Sequence, residues 1–252
     1  MKYLVISDIH GNLEAFRAVL AHAARKRRDA VLFLGDAVGY GAAPNQVIER
    51  LREMGAAVIG VRGNHDRVVI DPGEGAVFFN PHARRAAHWS SEVLTAVNRR
   101  YLGSIPIGPR QVEDDLIICH GSPTDEDEYL FSEMEAQAAF AHVTASVTFF
   151  GHSHVPCVFE RAEVEGQESL GGMLLRGTRV VIDLDPSRQY LINPGSVGQP
   201  RDRDPRASYG MYDSAARRFT LYRVIYNVEA ARRRILAAGL PHLLADRLLH
   251  GA

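Results

Sequence analysis

Cysteine is scarce in this chain, and the two that occur, Cys119 and Cys157, share no CxxC spacing. That excludes a disulfide-stapled framework and fits a reducing compartment. Long apolar runs are missing as well. Nothing approaches the length of a membrane span, and the few apolar residues before Asp8 are too short for a signal-peptide core. A cytoplasmic protein with no membrane partner is expected. Charge of one sign is also lacking: 29 basic against 30 acidic residues leave a net charge of -1, so no basic field points to a nucleic-acid polymer as partner. No repeat or low-complexity tract occurs. What is present is an ordinary globular mixture, 46% hydrophobic over 252 residues, long enough to bury a core without staples. Eleven histidines stand out, because histidine at that abundance suggests metal or proton chemistry wherever the residues meet.

The hydrophobic pattern predicts a strand at residues 2–7, closing at Asp8. Asn12 then caps a helix. Its apolar face carries Leu13, Phe16, Leu20 and Ala24, and Arg25 to Arg28 stand at the end where the helix dipole favours cations. Residues 31–34 form the next strand, Pro44 opens a helix to Met54, and residues 57–61 form a third strand. Such alternation marks an α/β protein with a parallel sheet. After a loop at Asp71 to Gly75, residues 80–102 read as one helix or a pair. Strands dominate from 112 onward, at 115–119, 147–150, 155–164, 178–184, 189–192, 208–213 and 218–226. Gly171, Gly172 and Gly177 suggest an excursion between two of them. Val228 to Leu249 is helical again, broken at Gly239 to Pro241.

Five short motifs stand where predicted strands end: Asp8-Ile9-His10, Gly35-Asp36, Gly63-Asn64-His65-Asp66, His120-Gly121 and Gly151-His152-Ser153-His154. In open α/β sheets, sites form beyond the carboxyl ends of strands. Asp, His and Asn offer oxygen and nitrogen donors suited to manganese, iron, cobalt, nickel or zinc, unlike a thiolate site. Asp8 and His10 are two apart, so an extended backbone would point both side chains the same way, and His152 and His154 repeat the spacing. The neighbouring glycines let the backbone turn tightly beside these donors.

This ordered set resembles the calcineurin-like metallophosphoesterases, whose blocks run DxH, GD, GNH[DE], a lone His and GHxH. All five are present in that order between residues 8 and 154. The stretches GDAVGYGAAPNQV, ICHGSP and Asn193 to Tyr209 (NPGSVGQPRDRDPRASY) look like one prokaryotic subgroup of small phosphodiesterase-like members. The resemblance implies a four-layer αββα sandwich, two mixed β-sheets flanked by helices. One domain would span residues 1–252, with a helical insert at about 71–106 and C-terminal helices at about 228–250. It also implies two divalent ions, manganese first and iron, zinc, nickel or cobalt as alternatives. Asp8, His10, Asp36 and His154 would hold one. Asp36, Asn64, His120 and His152 would hold the other, with the two oxygens of Asp36 bridging. Ions about 3.5–4 Å apart can clamp the attacking and leaving oxygens of an in-line displacement and share a hydroxide nucleophile. With two carboxylates and that hydroxide the site keeps about one positive charge, which attracts a phosphate. His65 is no ligand in the family pattern. It is expected to protonate the leaving oxygen or stabilise phosphoryl charge, with Asp66 holding its ring and favouring the imidazolium.

Other positions carry less. Arg201 is a candidate for gripping substrate phosphate, since a guanidinium matches phosphate geometry, and Tyr40 for stacking on a base. Asn193 to Ser196 returns the chain from a strand towards His154. The acidic loop Asp125 to Glu128 follows a candidate ligand, and shaping substrate entry and a plain solvated loop are both open to it. Trp89 or Tyr101 would line the site if the insert overhangs it. Cys119 adjoins His120 on a strand and should face the core, without a base to make it a nucleophile. The expected substrate is a small, nucleotide-like phosphodiester. A phosphomonoester, a phosphoprotein and a dinucleoside polyphosphate are alternatives, although Gly39-Tyr40 stands where phosphoprotein phosphatases of this superfamily carry a phosphate-gripping arginine. A non-catalytic scaffold of the same fold is the reading from another class, and the intact ligand set opposes it. Oligomeric state is not legible.

Overall fold

The computed structural model describes residues 1–164 and 166–252. The elements run β1 (Lys2–Ile6), α1 (Leu13–Ala23), β2 (Ala30–Phe33), α2 (Pro44–Glu53), β3 (Val58–Gly60), α3 (Asn64–Ile70), α4 (Pro81–Val93), α5 (Ala96–Ser104), β4 (Arg110–Glu113) and β5 (Leu116–Ile118). There follow α6 (Glu133–Phe140), β6 (Val147–Phe149), β7 (Cys157–Val164), β8 (Gln167–Leu174), β9 (Arg179–Asp183), β10 (Gln189–Asn193), β11 (Ala207–Asp213), β12 (Arg218–Val224), α7 (Val228–Ala237) and α8 (His242–Asp246). Among the described residues the strands form two mixed six-stranded sheets, ordered β3-β2-β1-β11-β12-β9 and β4-β5-β6-β10-β7-β8.

The apolar runs explain the layers. In β1, Tyr3 and Val5 point between the sheets while Leu4 and Ile6 point towards the helices, and all four are buried. A strand covered on both faces needs an unbroken apolar run rather than alternation, which is what Tyr3 to Ile6 supply. Leu32, Val147, Phe149, Ile192, Tyr212 and Phe219 fill the space between the sheets. There the Phe149 ring lies 5.3 Å from Tyr212 and 5.6 Å from Phe219. Phe16, Val47, Ile48, Ala86 and Ile235 cover the first sheet from outside, and Ala136, Ala139 and Phe140 of α6 cover the second. The result is the expected αββα sandwich. Among the described residues no helix is long and apolar enough to cross a membrane.

The departures are local. The stretch 80–102 is two helices, because the chain leaves helical geometry at Leu94 and Thr95 caps the second by accepting from the Asn98 amide. The Gly171-Gly172 pair is no excursion but part of β8, which pairs antiparallel with β7 in register Phe159 to Gly172 and Glu160 to Gly171. This strand is mostly exposed, so it carries no apolar alternation to read. The helix α6 was also unanticipated. It starts at a capping box in which Glu135 accepts from the Ser132 amide at 2.7 Å.

Candidate metal centre

The strands β1, β2 and β3 run parallel in one sheet, and β5, β6 and β10 run parallel in the other. All five motifs follow their carboxyl ends, so the two sheets deliver them to one rim. Beyond β1 and β2 the backbones stay paired: Asp8 N–H donates to Gly35 O at 3.0 Å and His10 N–H to Asp36 O at 2.9 Å. The segment after β10 locks the rim. Asn193 Nδ2 donates to Gly151 O at 2.6 Å, Ser196 Oγ to Asp8 O at 2.8 Å, and Val197 N–H to Ser7 O at 3.0 Å.

Asp8, His10, Asp36, His152 and His154 all have φ between 49° and 62°. Left-handed backbone costs a non-glycine residue energy, and clusters of it accompany functional sites. This corrects the expected geometry. The motifs lie past the strand ends, so their side chains do not converge by strand alternation; they are turned inward by left-handed turns. Gly63 has a separate reason to be glycine, since a Cβ there would collide with Asp36 Oδ1.

Three clusters of side chains bring their donor atoms close enough to share an ion: Asp8 with His10 and His154, His10 with Asp36 and His65, and Asp36 with His120 and His152. Asn64 Oδ1 lies 3.3 Å from His120 Nε2. Each imidazole is oriented from behind. Nδ1 donates to Val38 O in His10 at 3.0 Å, to Leu34 O in His120 at 2.7 Å and to Gln199 O in His154 at 2.6 Å, which turns Nε2 inward as a lone-pair donor. In His152 the roles reverse, because Nε2 meets Asp127 O at 3.0 Å and Nδ1 is left for the centre. Both carboxylates follow one scheme. Asp8 Oδ2 accepts the His152 amide and Asp36 Oδ1 accepts the His65 amide, while Asp8 Oδ1 and Asp36 Oδ2 are buried without a hydrogen-bond partner. Unpartnered buried carboxylate oxygens facing unspent imidazole nitrogens are a donor set that a cation would satisfy. Of the two Asp36 oxygens, Oδ2 is the one without a hydrogen-bond partner; it lies 3.6 Å from His10 Nε2 and 3.4 Å from His120 Nε2.

The electrostatics agree. Burial drives His10 and His154 well below the usual imidazole value and His152 down to about 3. Burial opposes the proton on His120 too, yet Asp36 beside it holds that group up at about 10. Burial would raise Asp36, but His120 and its neighbours hold it well below the carboxylate range. The pocket thus favours positive charge next to Asp36.

Residues 1–217 match the calcineurin-like phosphoesterase superfamily domain. The chain belongs to that superfamily. It is a metal-dependent phosphoesterase. An uncharacterised protein of Methanocaldococcus jannaschii is 35% identical, covering 98% of this chain and 97% of its own. Phosphodiesterase YfcE of Escherichia coli is 28% identical over 85% of this chain and 88% of its own. The crystal structure of a metallophosphoesterase from Sphaerobacter thermophilus superposes over the full length of both chains, with TM-score 0.85 and 38% identity.

Beside the donor set of this phosphoesterase lies a cavity of about 430 Å³, lined among others by Tyr40, Asn64, His65, Phe79, Tyr129 and His152. The insert reaches it through Phe79, Asn80 and Ala83, whereas Trp89 and Tyr101 pack on the core instead. The acidic loop does shape the entrance. Asp127 lines the cavity, and Arg67 of α3 holds the loop through Glu126 at 2.6 Å and Asp127 at 2.7 Å. Tyr129, stacked 3.9 Å from the His152 ring, carried no sequence signal, nor did the Asp127 carbonyl behind His152. Asp66 does not hold the His65 ring. Its carboxylate accepts the amides of Asp36, Gly63 and Val38, at 2.9, 3.2 and 3.2 Å. His65 is packed among His10, Tyr40 and Phe79, and burial lowers it to about 4, so its ring is neutral rather than an imidazolium. Cys119 is buried with its thiol on Gly121 O at 3.3 Å, and burial pushes it up to about 12.

Proposed function

We propose that this phosphoesterase holds two divalent ions and hydrolyses small, nucleotide-like phosphodiesters. The observation that carries the proposal is the single free oxygen of Asp36, poised between His10 on one side and His120 on the other. Asp8, His10 and His154 would complete one site; Asn64, His120 and His152 the other. When bound, such ions polarise a phosphoryl oxygen and activate water near neutral pH. The chain's own residues bind and orient. Tyr40, Phe79 and Tyr129 give the cavity an aromatic lining suited to a planar base or aryl group, and its volume suits a small ligand. His65 lines the same cavity and is placed to donate a neutral N–H to a phosphoryl or leaving oxygen. The E. coli relative, named a phosphodiesterase, supports the diester preference.

The test is hydrolysis of bis(p-nitrophenyl) phosphate and p-nitrophenyl phosphate by manganese-loaded protein, with metal content measured on the same sample. The diester should be preferred by about tenfold or more in kcat/KM. A preference for the monoester would make it a phosphomonoesterase, and no metal-dependent turnover of either would remove the catalytic reading. His65→Ala should lower kcat by roughly a hundredfold with bound metal unchanged. Loss of ions in parallel with rate would recast His65 as a residue that builds the centre.

A further inference from the structure

Two cations beside Tyr40 have no part in the donor set described above. Arg201 Nη2 donates to Tyr40 Oη at 3.2 Å and to Gln199 Oε1 at 3.3 Å, and its Nε is buried without a partner. Arg247 comes to the same place from the C-terminal segment, beyond α8. The guanidinium carbons of Arg201 and Arg247 lie 5.7 and 5.9 Å from the centre of the Tyr40 ring. Arg247 Nε is held by the main-chain oxygen of Ala252, and among the described residues its terminal nitrogens have no hydrogen-bond acceptor.

Several sheltered arginines of this chain pair with acids. Arg67 has Glu126 and Asp127, Arg206 has Asp204, Arg223 has Asp202, and Arg234 has Glu14. Others, such as Arg99 and Arg110, spend their N–H groups on main-chain carbonyls. Among the described residues no carboxylate side chain lies within 4.0 Å of Arg201 or Arg247, and Arg201 Nε has no acceptor at all. A buried guanidinium nitrogen without an acceptor is unfavourable, and a second cation on the same ring adds to the cost. Burial and the neighbouring Arg201 both lower Arg247 from the usual guanidinium value. The Tyr40 ring offers each a cation–π contact, which offsets only part of that cost. Neither arginine is among the residues that line the cavity, but Tyr40, whose ring both approach, does line it.

We infer that Arg201 and Arg247 form an anion subsite that holds a second negatively charged group of the substrate, apart from the phosphate being cleaved. A phosphate is the group that two guanidinium forks fit best. The preferred substrate class is then a nucleotide-like diester carrying an additional phosphate. Arg201 and Tyr40 lie within residues 1–217, the part matching the superfamily domain, and Arg247 lies beyond it, so the C-terminal segment adds one of the two cations.

The turnover arm of the test rests on the phosphodiesterase reading; the binding arm does not. Turnover compares a nucleoside p-nitrophenyl phosphodiester with the same compound bearing a second phosphate on its ribose. Binding compares a nucleoside bisphosphate with the monophosphate by calorimetry. Wild type should favour the doubly phosphorylated compound by roughly tenfold or more in kcat/KM and in Kd. Arg247→Ala should bring both ratios close to one, and Arg247→Lys, which keeps the charge but loses the fork, should retain part of them. Equal handling of the two compounds by wild type, or ratios that survive Arg247→Ala, overturns the subsite. If neither ester is turned over but the bisphosphate still binds more tightly and needs Arg247, the subsite stands and the phosphodiesterase reading fails.

Discussion

Asp36→Asn is expected to bind at most one ion per chain where the proposed function gives the wild type two, and to lose on the order of a thousandfold in hydrolysis rate. The substitution is nearly isosteric, and one oxygen keeps its partner, because an asparagine Oδ1 can still accept the His65 amide as Asp36 Oδ1 does at 2.9 Å. The left-handed backbone at this position, φ 60°, is one that asparagine tolerates as well as any non-glycine residue. What changes is Oδ2. In its place an amide would aim two N–H donors at the space between His10 Nε2 and His120 Nε2, where the proposed cations would sit. Because the same atom faces both donor clusters, both ion sites suffer from one exchange. Metal analysis on dialysed protein, with circular dichroism to confirm the fold, checks the result. Two tightly held ions together with wild-type turnover would show that Asp36 bridges nothing.

The candidate donor set was readable from sequence because it is carried by residue type and order. Asp8, His10, Asp36, Asn64, His120, His152 and His154 all follow strand ends, and strand ends are marked by where apolar runs stop. The layers were readable for the same reason, since strands such as β1 bury both faces. How the side chains converge was not readable. Nothing in Asp8-Ile9-His10 announces two residues at φ 54° and 49°, because aspartate and histidine occupy extended backbone just as readily. Contacts made through main-chain atoms were equally hidden. The Asp127 carbonyl behind His152 has no sequence signature, since any residue has a carbonyl. Arg247 reaches Tyr40 across more than two hundred positions, a proximity set by how the C-terminal helices pack. One miss was avoidable. Ser132 followed by Glu135 is a capping box, and it opens α6 as that pattern should.

Asp66→Ala should do its damage through stability first. The side chain is fully buried, and its two oxygens accept three amides, from Asp36, Gly63 and Val38. Alanine would leave those donors inside the protein without acceptors, at about 1 kcal/mol or more each, so a loss of roughly 3 kcal/mol is expected. For a chain of this size that lowers Tm by about 6–12 °C. Asp66→Asn should fall between, because it keeps one acceptor but turns an NH2 group towards amides that need an oxygen. The rate should fall with the fold for a structural reason. Two of the three amides belong to the loop that carries Asp36, so slackening that loop moves the shared oxygen, and displaced second partners commonly cost 10- to 100-fold in metal affinity. A partner that only polarised His65 would behave differently: its removal would cut kcat at unchanged Tm and unchanged metal content. Thermal denaturation, metal titration and turnover measured on Asp66→Ala and Asp66→Asn separate the two, and a variant slow in catalysis yet as stable as wild type would return Asp66 to the role of aligning the imidazole.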